Sequence, residues 1–152
     1  MMDGALISRQ IRSLSEEENG YVAVMANASA LLNEALDDIN WVGFYITRGE
    51  DLILGPFQGK VACVRISHGR GVCGTAALRR ETVVVDDVHA FPGHIACDSA
   101  SRSEIVVPLM QHGAVVGVLD IDSPSLSRFS DEDRAQIERV AAAVAECARF
   151  DR

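Results

Sequence analysis

The chain has 152 residues, enough for one domain with a buried core. Hydrophobic residues make up 48% and charged residues 24%, the balance of an ordinary globular protein without repeats or low-complexity tracts. A net charge of −8 argues against nucleic acid and anionic membranes as partners, and no apolar run nears the roughly 20 residues that span a bilayer.

The opening stretch, MMDGALISRQ, has no secretory leader pattern, so a cytoplasmic setting with reduced thiols is expected. Residues 1–14 give little structural signal and can be poorly ordered. Ser15 with Glu18 reads as a capping box that opens a helix to about Asp38, with an apolar stripe through Val24, Met25, Ala28, Leu31, Leu32, Ala35 and Ile39. Asn40 to Ile46 reads as a strand, with Trp41, Gly43 and Tyr45 on one face and Val42, Phe44 and Ile46 on the other. Residues 52–58 and 61–67 read as two more strands. Gly69 to Gly74 is a glycine-rich turn into a short helix ending near Arg80, followed by a β-branched strand from Thr82 to Val85. Residues 86–103 read as a long loop, and long loops in compact domains are commonly functional. Glu104–Met110 and Ala114–Asp122 are strands around a turn at His112 and Gly113. Ser130 with Asp133 caps a last helix to about Arg149, with Ile137, Val140, Ala141, Val144, Cys147 and Ala148 inward. This order predicts an α+β fold, a single domain over residues 1–152 whose sheet is antiparallel and covered by helices.

Cysteine chemistry is the leading question. Cys63 falls in a predicted strand, where a buried inert thiol is common. Cys73 sits at a predicted helix start, where the helix dipole and nearby Arg70 should lower its pKa. Cys97 lies in the long loop near His94 and Asp98, a plausible setting for a nucleophile. Cys147 reads as core. A structural zinc site is disfavoured, because nine residues separate Cys63 from Cys73 and 23 separate Cys73 from Cys97. Gly69–Gly74 matches G-x-G-x-x-G, yet the helix that follows is too short for a dinucleotide crossover, and a tight strand-to-helix turn is the better reading.

The strand VVGVLDID raises a second question. Alternation puts Asp120 and Asp122 on one face with Val116 and Val118, which is costly unless that face opens on solvent, a ligand or a cation. A two-residue loop at His112-Gly113 would place Glu104 opposite Ile121. One extra residue in the ladder would place it opposite Asp122, and Pro108 makes an edge or a bulge there plausible.

The strings DINWVGFY, LGPFQGKVACVRI, GRGVCGTA, DVH, GHIACDSASRSEIVVPL and GVLDIDS occur in this order. Between Tyr21 and Phe129 the chain thereby resembles the free methionine-(R)-sulfoxide reductases, a family of GAF-domain enzymes. The resemblance implies a GAF-like domain with a ligand pocket on the sheet face away from the main helices. It implies reduction of free methionine sulfoxide without a bound cofactor, with thioredoxin as electron donor, and it allows a homodimer. Three redox cysteines map onto Cys63, Cys73 and Cys97, and the substrate pocket maps onto Trp41, Tyr45, Glu104, Asp120 and Asp122. In that chemistry Cys97 attacks the sulfoxide and becomes a sulfenic acid, and Cys73 condenses with it, Cys63 being the alternative resolving thiol or relay. The rival reading is a non-catalytic GAF module that senses a small ligand or redox state.

Overall fold

The computed structural model describes residues 2–16, 20–94 and 100–150. Two helices, α1 (Gly4–Leu14) and α2 (Tyr21–Ala35), precede strands β1 (Trp41–Arg48), β2 (Asp51–Gly59) and β3 (Arg65–Ser67). Helix α3 (Gly71–Arg79) and strand β4 (Val83–Val85) follow, then a single 3₁₀ turn at Val88–Ala90. Strands β5 (Ser103–Gln111) and β6 (Ala114–Ser123) form a hairpin, and α4 (Asp131–Cys147) completes the described fold. The strands lie in one sheet in the order β3-β2-β1-β6-β5-β4, and every neighbouring pair is antiparallel. The α+β architecture matches the expectation from sequence.

The sheet is buried on both faces. Val42, Phe44 and Ile46 of β1, with Ile105, Leu109, Leu119 and Ile121, pack against α1, α2 and α4. Trp41 and Tyr45, with Leu52, Val106 and Val118, face the other way and meet Val72, Cys73 and Ala76 of α3. The period-two alternation of β1 sorts its aromatic and aliphatic side chains between these faces.

Residues 4–14 are ordered, contrary to the expectation of poor order. Asp3 caps α1 by accepting from the Leu6 N–H at 3.0 Å, and Ile7 and Ile11 bury themselves one turn apart against the helical layer. Gly4 donates to Gln136 Oε1 at 2.8 Å, and a Cβ there would lie 2.6 Å from the Gln136 carbonyl oxygen. Ser15 ends α1 rather than starting the next helix; its hydroxyl donates to the Ile11 carbonyl at 2.7 Å. Glu18, its expected capping partner, lies outside the described residues. The capping box at Ser130 and Asp133 is present as read, with the Asp133 N–H donating to Ser130 Oγ at 3.1 Å and the Ser130 N–H to Asp133 Oδ2 at 3.0 Å.

The strand expected over residues 61–67 shortens to Arg65–Ser67, so Cys63 stands in the irregular link from β2 rather than in a strand. Gly59 at φ +140° breaks the ladder before it. The glycine motif makes a tight turn, as expected. Gly69 and Gly71 have positive φ, and a Cβ at Gly74 would lie 2.4 Å from the Ser67 carbonyl oxygen. Strands β3 and β4, which flank α3, lie at opposite edges of the sheet, so there is no parallel dinucleotide-binding unit.

Candidate active site

The pocket lies between the α3 face of the sheet and the start of α3. Its wall begins at Gly43. A Cβ there would lie 2.2 Å from Phe57 Cβ, so the missing side chain lets Phe57 sit against β1. Phe57 stacks on Trp41 with ring centroids 5.1 Å apart, and Trp41 stacks in turn on Tyr45 at 6.0 Å. Both polar tips are tied to the β2–β3 link. Trp41 Nε1 donates to the Lys60 carbonyl at 3.1 Å, and the Tyr45 hydroxyl donates to the Cys63 carbonyl at 3.0 Å. Burial, with Asp120 as the next cause, keeps the Tyr45 hydroxyl protonated far above its ordinary range.

The floor is acidic. Glu104 pairs with Asp122 across the β5–β6 ladder, Trp41 pairs with Asp122 across β1–β6, and Gly43 pairs with Asp120. The bare Gly43 backbone beside Asp120 and the aromatic ring beside Asp122 set the two carboxylates in different surroundings. Glu104 and Asp120 are buried, and Asp122 is half-buried. Burial drives the Glu104 carboxyl well above the usual carboxylate range, and Asp120 and Asp122 push it further. Burial also raises Asp120, opposed by hydrogen bonds from Glu104, Cys73 and Asp122. Two facing buried acids each disfavour the other's ionisation. One oxygen of Asp120, Oδ1, is buried without a hydrogen-bond partner.

Cys73, two residues into α3, is a free thiol that hydrogen-bonds Asp120. Its pKa moves opposite to the expectation from its helix position. Burial pushes the thiol up, and Asp120, Glu104 and Asp122 add to that push. Three carboxylates brought in from distant strands outweigh a half-charge at a helix end. The donor atoms of Cys73, Glu104 and Asp120 lie within 4.8 Å of one another.

Cys63 is half-buried and is disulfide-bonded. Cys97 lies outside the described residues. Cys147 is a free thiol that packs against the helical core, away from the pocket. The structure thus brings together Trp41, Tyr45, Cys73, Glu104, Asp120 and Asp122, all of which line one pocket. The free space inside is about 50 Å³. A larger open groove of about 970 Å³ runs along α4 and the end of β5, but it contains none of these residues.

The GAF domain family profile matches residues 24–147. The free methionine-R-sulfoxide reductase of Escherichia coli K12 is 53% identical over 143 residues, covering 90% of this chain and 87% of that protein. The chain belongs to the free methionine-R-sulfoxide reductase family. Among solved structures, the Staphylococcus aureus fRMsr complex with substrate superposes with a TM-score of 0.88 at 50% identity, covering 96% of this chain and 95% of that one. The Neisseria meningitidis free methionine-R-sulfoxide reductase, in complex with its substrate, gives a TM-score of 0.86 at 45% identity, with 94% and 84% covered.

The pocket of this reductase-family chain also takes in Arg70 and His94, read in sequence only as neighbours of Cys73 and Cys97, and Ser101, which carries no sequence signal. Arg70 sits at the N-cap of α3 and reaches the rim, and Ser101 is buried at the floor, accepting from Asn40 Nδ2 at 3.0 Å. His94 also lines the pocket, and burial, with His89 beside it, lowers its pKa. The G-R-G turn marks Arg70 as a residue held at a helix start; only the fold shows what it faces.

Proposed function

We propose that this chain reduces free methionine-(R)-sulfoxide to methionine and is recycled by thioredoxin. The observation that carries the reading is the buried Glu104–Asp120 pair, both carboxyls raised by burial, beside an aromatic wall, in a protein about half identical to named reductases of that substrate. Sulfoxide reduction by a thiol needs an acid at the sulfoxide oxygen, and a buried carboxylic acid that keeps its proton can serve.

In this mechanism the Cys97 thiolate attacks the electrophilic sulfur, and the Glu104–Asp120 pair protonates the sulfoxide oxygen. Attack forms a bond between Cys97 Sγ and the methionine sulfur; passage of the protonated oxygen to Cys97 Sγ then breaks that bond and the S–O bond, so methionine leaves and Cys97 remains as a sulfenic acid. A second thiol then displaces water from that sulfur and forms a disulfide. The disulfide-bonded state of Cys63 favours it as this second thiol, whereas Cys73, buried and free, suits a place on the pocket floor. A thioredoxin dithiol restores the thiols by exchange.

Binding follows from charge. With Glu104 and Asp120 buried and both raised by burial, half-buried Asp122 is the carboxylate suited to the substrate's ammonium group. Arg70 and the N-terminus of α3, which has no side-chain cap hydrogen bond among the described residues, suit its carboxylate. Trp41 and Tyr45 suit the methyl end. About 50 Å³ does not hold an amino acid, since small-ligand sites run to a few hundred Å³, so entry displaces part of the wall. The irregular 60–64 link forms part of that wall and leaves Val61 88% exposed.

The test is NADPH consumption with thioredoxin, thioredoxin reductase and the free R sulfoxide. Steady turnover is expected with the R epimer and not the S epimer; no turnover would return the fold to a sensing role.

A further inference from the structure

The pocket floor is a cluster that no single segment of sequence encodes: a thiol from α3, a carboxyl from β5 and a carboxyl from β6. Cys73, Glu104 and Asp120 are each buried, and their donor atoms lie within 4.8 Å of one another. The sequence spacing of the cysteines argues against a zinc site built from thiols alone. It does not bear on one assembled from one thiol and two carboxyls across the fold. We propose that the substrate-free pocket binds one borderline-soft divalent cation, with Zn²⁺ the best fit, on Cys73 Sγ, Glu104 and Asp120, and that it excludes the substrate, whose ammonium group would sit beside it on Asp122 in the same pocket. The cation site rests on geometry alone; the competition rests on the reading of the pocket given under Proposed function.

Three observations support it. Asp120 is 95% buried, with 5% relative exposure, yet Oδ1 has no hydrogen-bond partner. A buried oxygen of this kind costs free energy until a cation or donor reaches it. Zn²⁺ binds thiolate sulfur at about 2.3 Å and carboxylate oxygen at about 2.1 Å, which sets tetrahedral donors about 3.5 Å apart. Donors already within 4.8 Å close to that distance by side-chain rotation. The free space of about 50 Å³ has room for an ion and its water, since one water needs about 10–15 Å³ of such space.

The donor set also selects the ion. A thiolate beside carboxylates favours Zn²⁺ over Mg²⁺ or Ca²⁺, which take oxygen ligands. On binding, the Cys73 S–H proton and any carboxyl proton pass to water, and a metal–sulfur bond replaces the thiol hydrogen bond to Asp120. No oxidation is involved. Three protein donors leave a fourth position for water. The occupied site would block both the acid pair and the approach of a substrate cation.

The experiment uses the full chain, fully reduced and freed of reductant under anaerobic conditions, titrated with Co²⁺ as a spectroscopic stand-in. A thiolate-to-cobalt charge-transfer band saturating at one ion per chain is expected, bleached by added Zn²⁺. Cys73→Ser should lose the band, and Glu104→Gln should weaken Co²⁺ affinity by at least about tenfold, each with an unchanged circular dichroism spectrum. Free methionine, which carries the ammonium without the oxidant, should raise the apparent Co²⁺ dissociation constant. No band in the reduced protein, or an equal band in Cys73→Ser, would overturn the site. A band indifferent to saturating methionine would overturn the competition. Failure of sulfoxide turnover would leave the band in place, so the two readings fail separately.

Discussion

Glu104 stands directly opposite Asp122 across the β5–β6 ladder, although the turn that joins the strands counts toward Ile121. Gln111 pairs with Ala114 and Met110 with Val115, and then Leu109 pairs with Gly117. Val116 is the extra residue, a bulge that moves every later partner by one. It also turns Val116 toward the helical core and Val115 toward the pocket face, the reverse of simple alternation. The acid cluster depends on that residue, because without it an isoleucine would meet Glu104. Pro108, which cannot donate to a ladder, lies just past the last residue that β4 pairs.

The proposed nucleophile is testable in a single turnover. Cys97→Ser should release no methionine from the free R sulfoxide, even in excess enzyme, because the attacking sulfur is gone. Amino-acid analysis of the quenched mixture measures it. Stoichiometric release would move the attack to Cys63 or Cys73.

Cys63→Ser should separate the two half-reactions. About one methionine per chain should still appear, while thioredoxin-dependent turnover falls by orders of magnitude, because the sulfenic acid has lost its partner. Cys73→Ser is the control. If it alone blocks recycling, the resolving role belongs to the buried thiol.

The raised Glu104 carboxyl makes a stability prediction. In the unfolded chain it ionises near 4.5, and in the folded pocket well above that, with Asp120, Asp122 and Cys73 facing it. Across that window the folded state binds more protons, so stability is greatest at low pH and falls as pH rises, by up to about 1.4 kcal/mol per pH unit for each such group. Melting temperatures recorded from about pH 5 to about pH 8 should fall less steeply in Glu104→Gln than in the parent. Parallel profiles would show that Glu104 gives up its proton without cost. The same variant should lose sulfoxide reduction by at least about tenfold, since an amide cannot supply the acid proton.

Recognition of the free amine sets a fourth expectation. N-acetylmethionine-(R)-sulfoxide has no ammonium group for Asp122, and it adds bulk against a nearly closed wall. A kcat/KM lower by a factor on the order of a thousand is expected, since an unpaired buried charge costs several kcal/mol. Asp122→Asn should raise KM for the free substrate and narrow that gap. Equal rates on both substrates would place the ammonium elsewhere.

How much was legible follows physical range. The alternation of β1, the capping box of α4 and the two candidate registers of the hairpin are local patterns, and each could be read from neighbouring residues. Helix α1 was missed because its buried side rests on few apolar positions, Met2, Ile7 and Ile11, while Ser15 mimics a start. The helix at Cys73 was legible, but the direction of its pKa was not. That direction is set first by burial under the sheet and then by Asp120, Glu104 and Asp122, carboxylates brought in from strands far along the chain. Residues 61–67 read as a strand through Cys63, but Gly59 ends the ladder before it and pairing resumes only at Arg65.

The first helix belongs to the fold rather than decorating it. Ile11 is 1% exposed, and Ile11→Ala should cost about 2–4 kcal/mol in urea unfolding, the range for a buried isoleucine truncated to alanine. A loss under about 0.5 kcal/mol would show that α1 docks without contributing to stability.

The double burial of β1 has a consequence for how its coding sequence can change length. Odd and even positions of Trp41–Ile46 serve different layers, one chemical and one purely cohesive. Inserting or losing a single codon there would exchange the layers from that point on, sending Phe44 toward the carboxylates and Tyr45 under the helices. Changes by pairs of codons preserve the parity. Along this strand, a gap of one in a functional relative would demand a compensating bulge nearby, as Val116 supplies in β6.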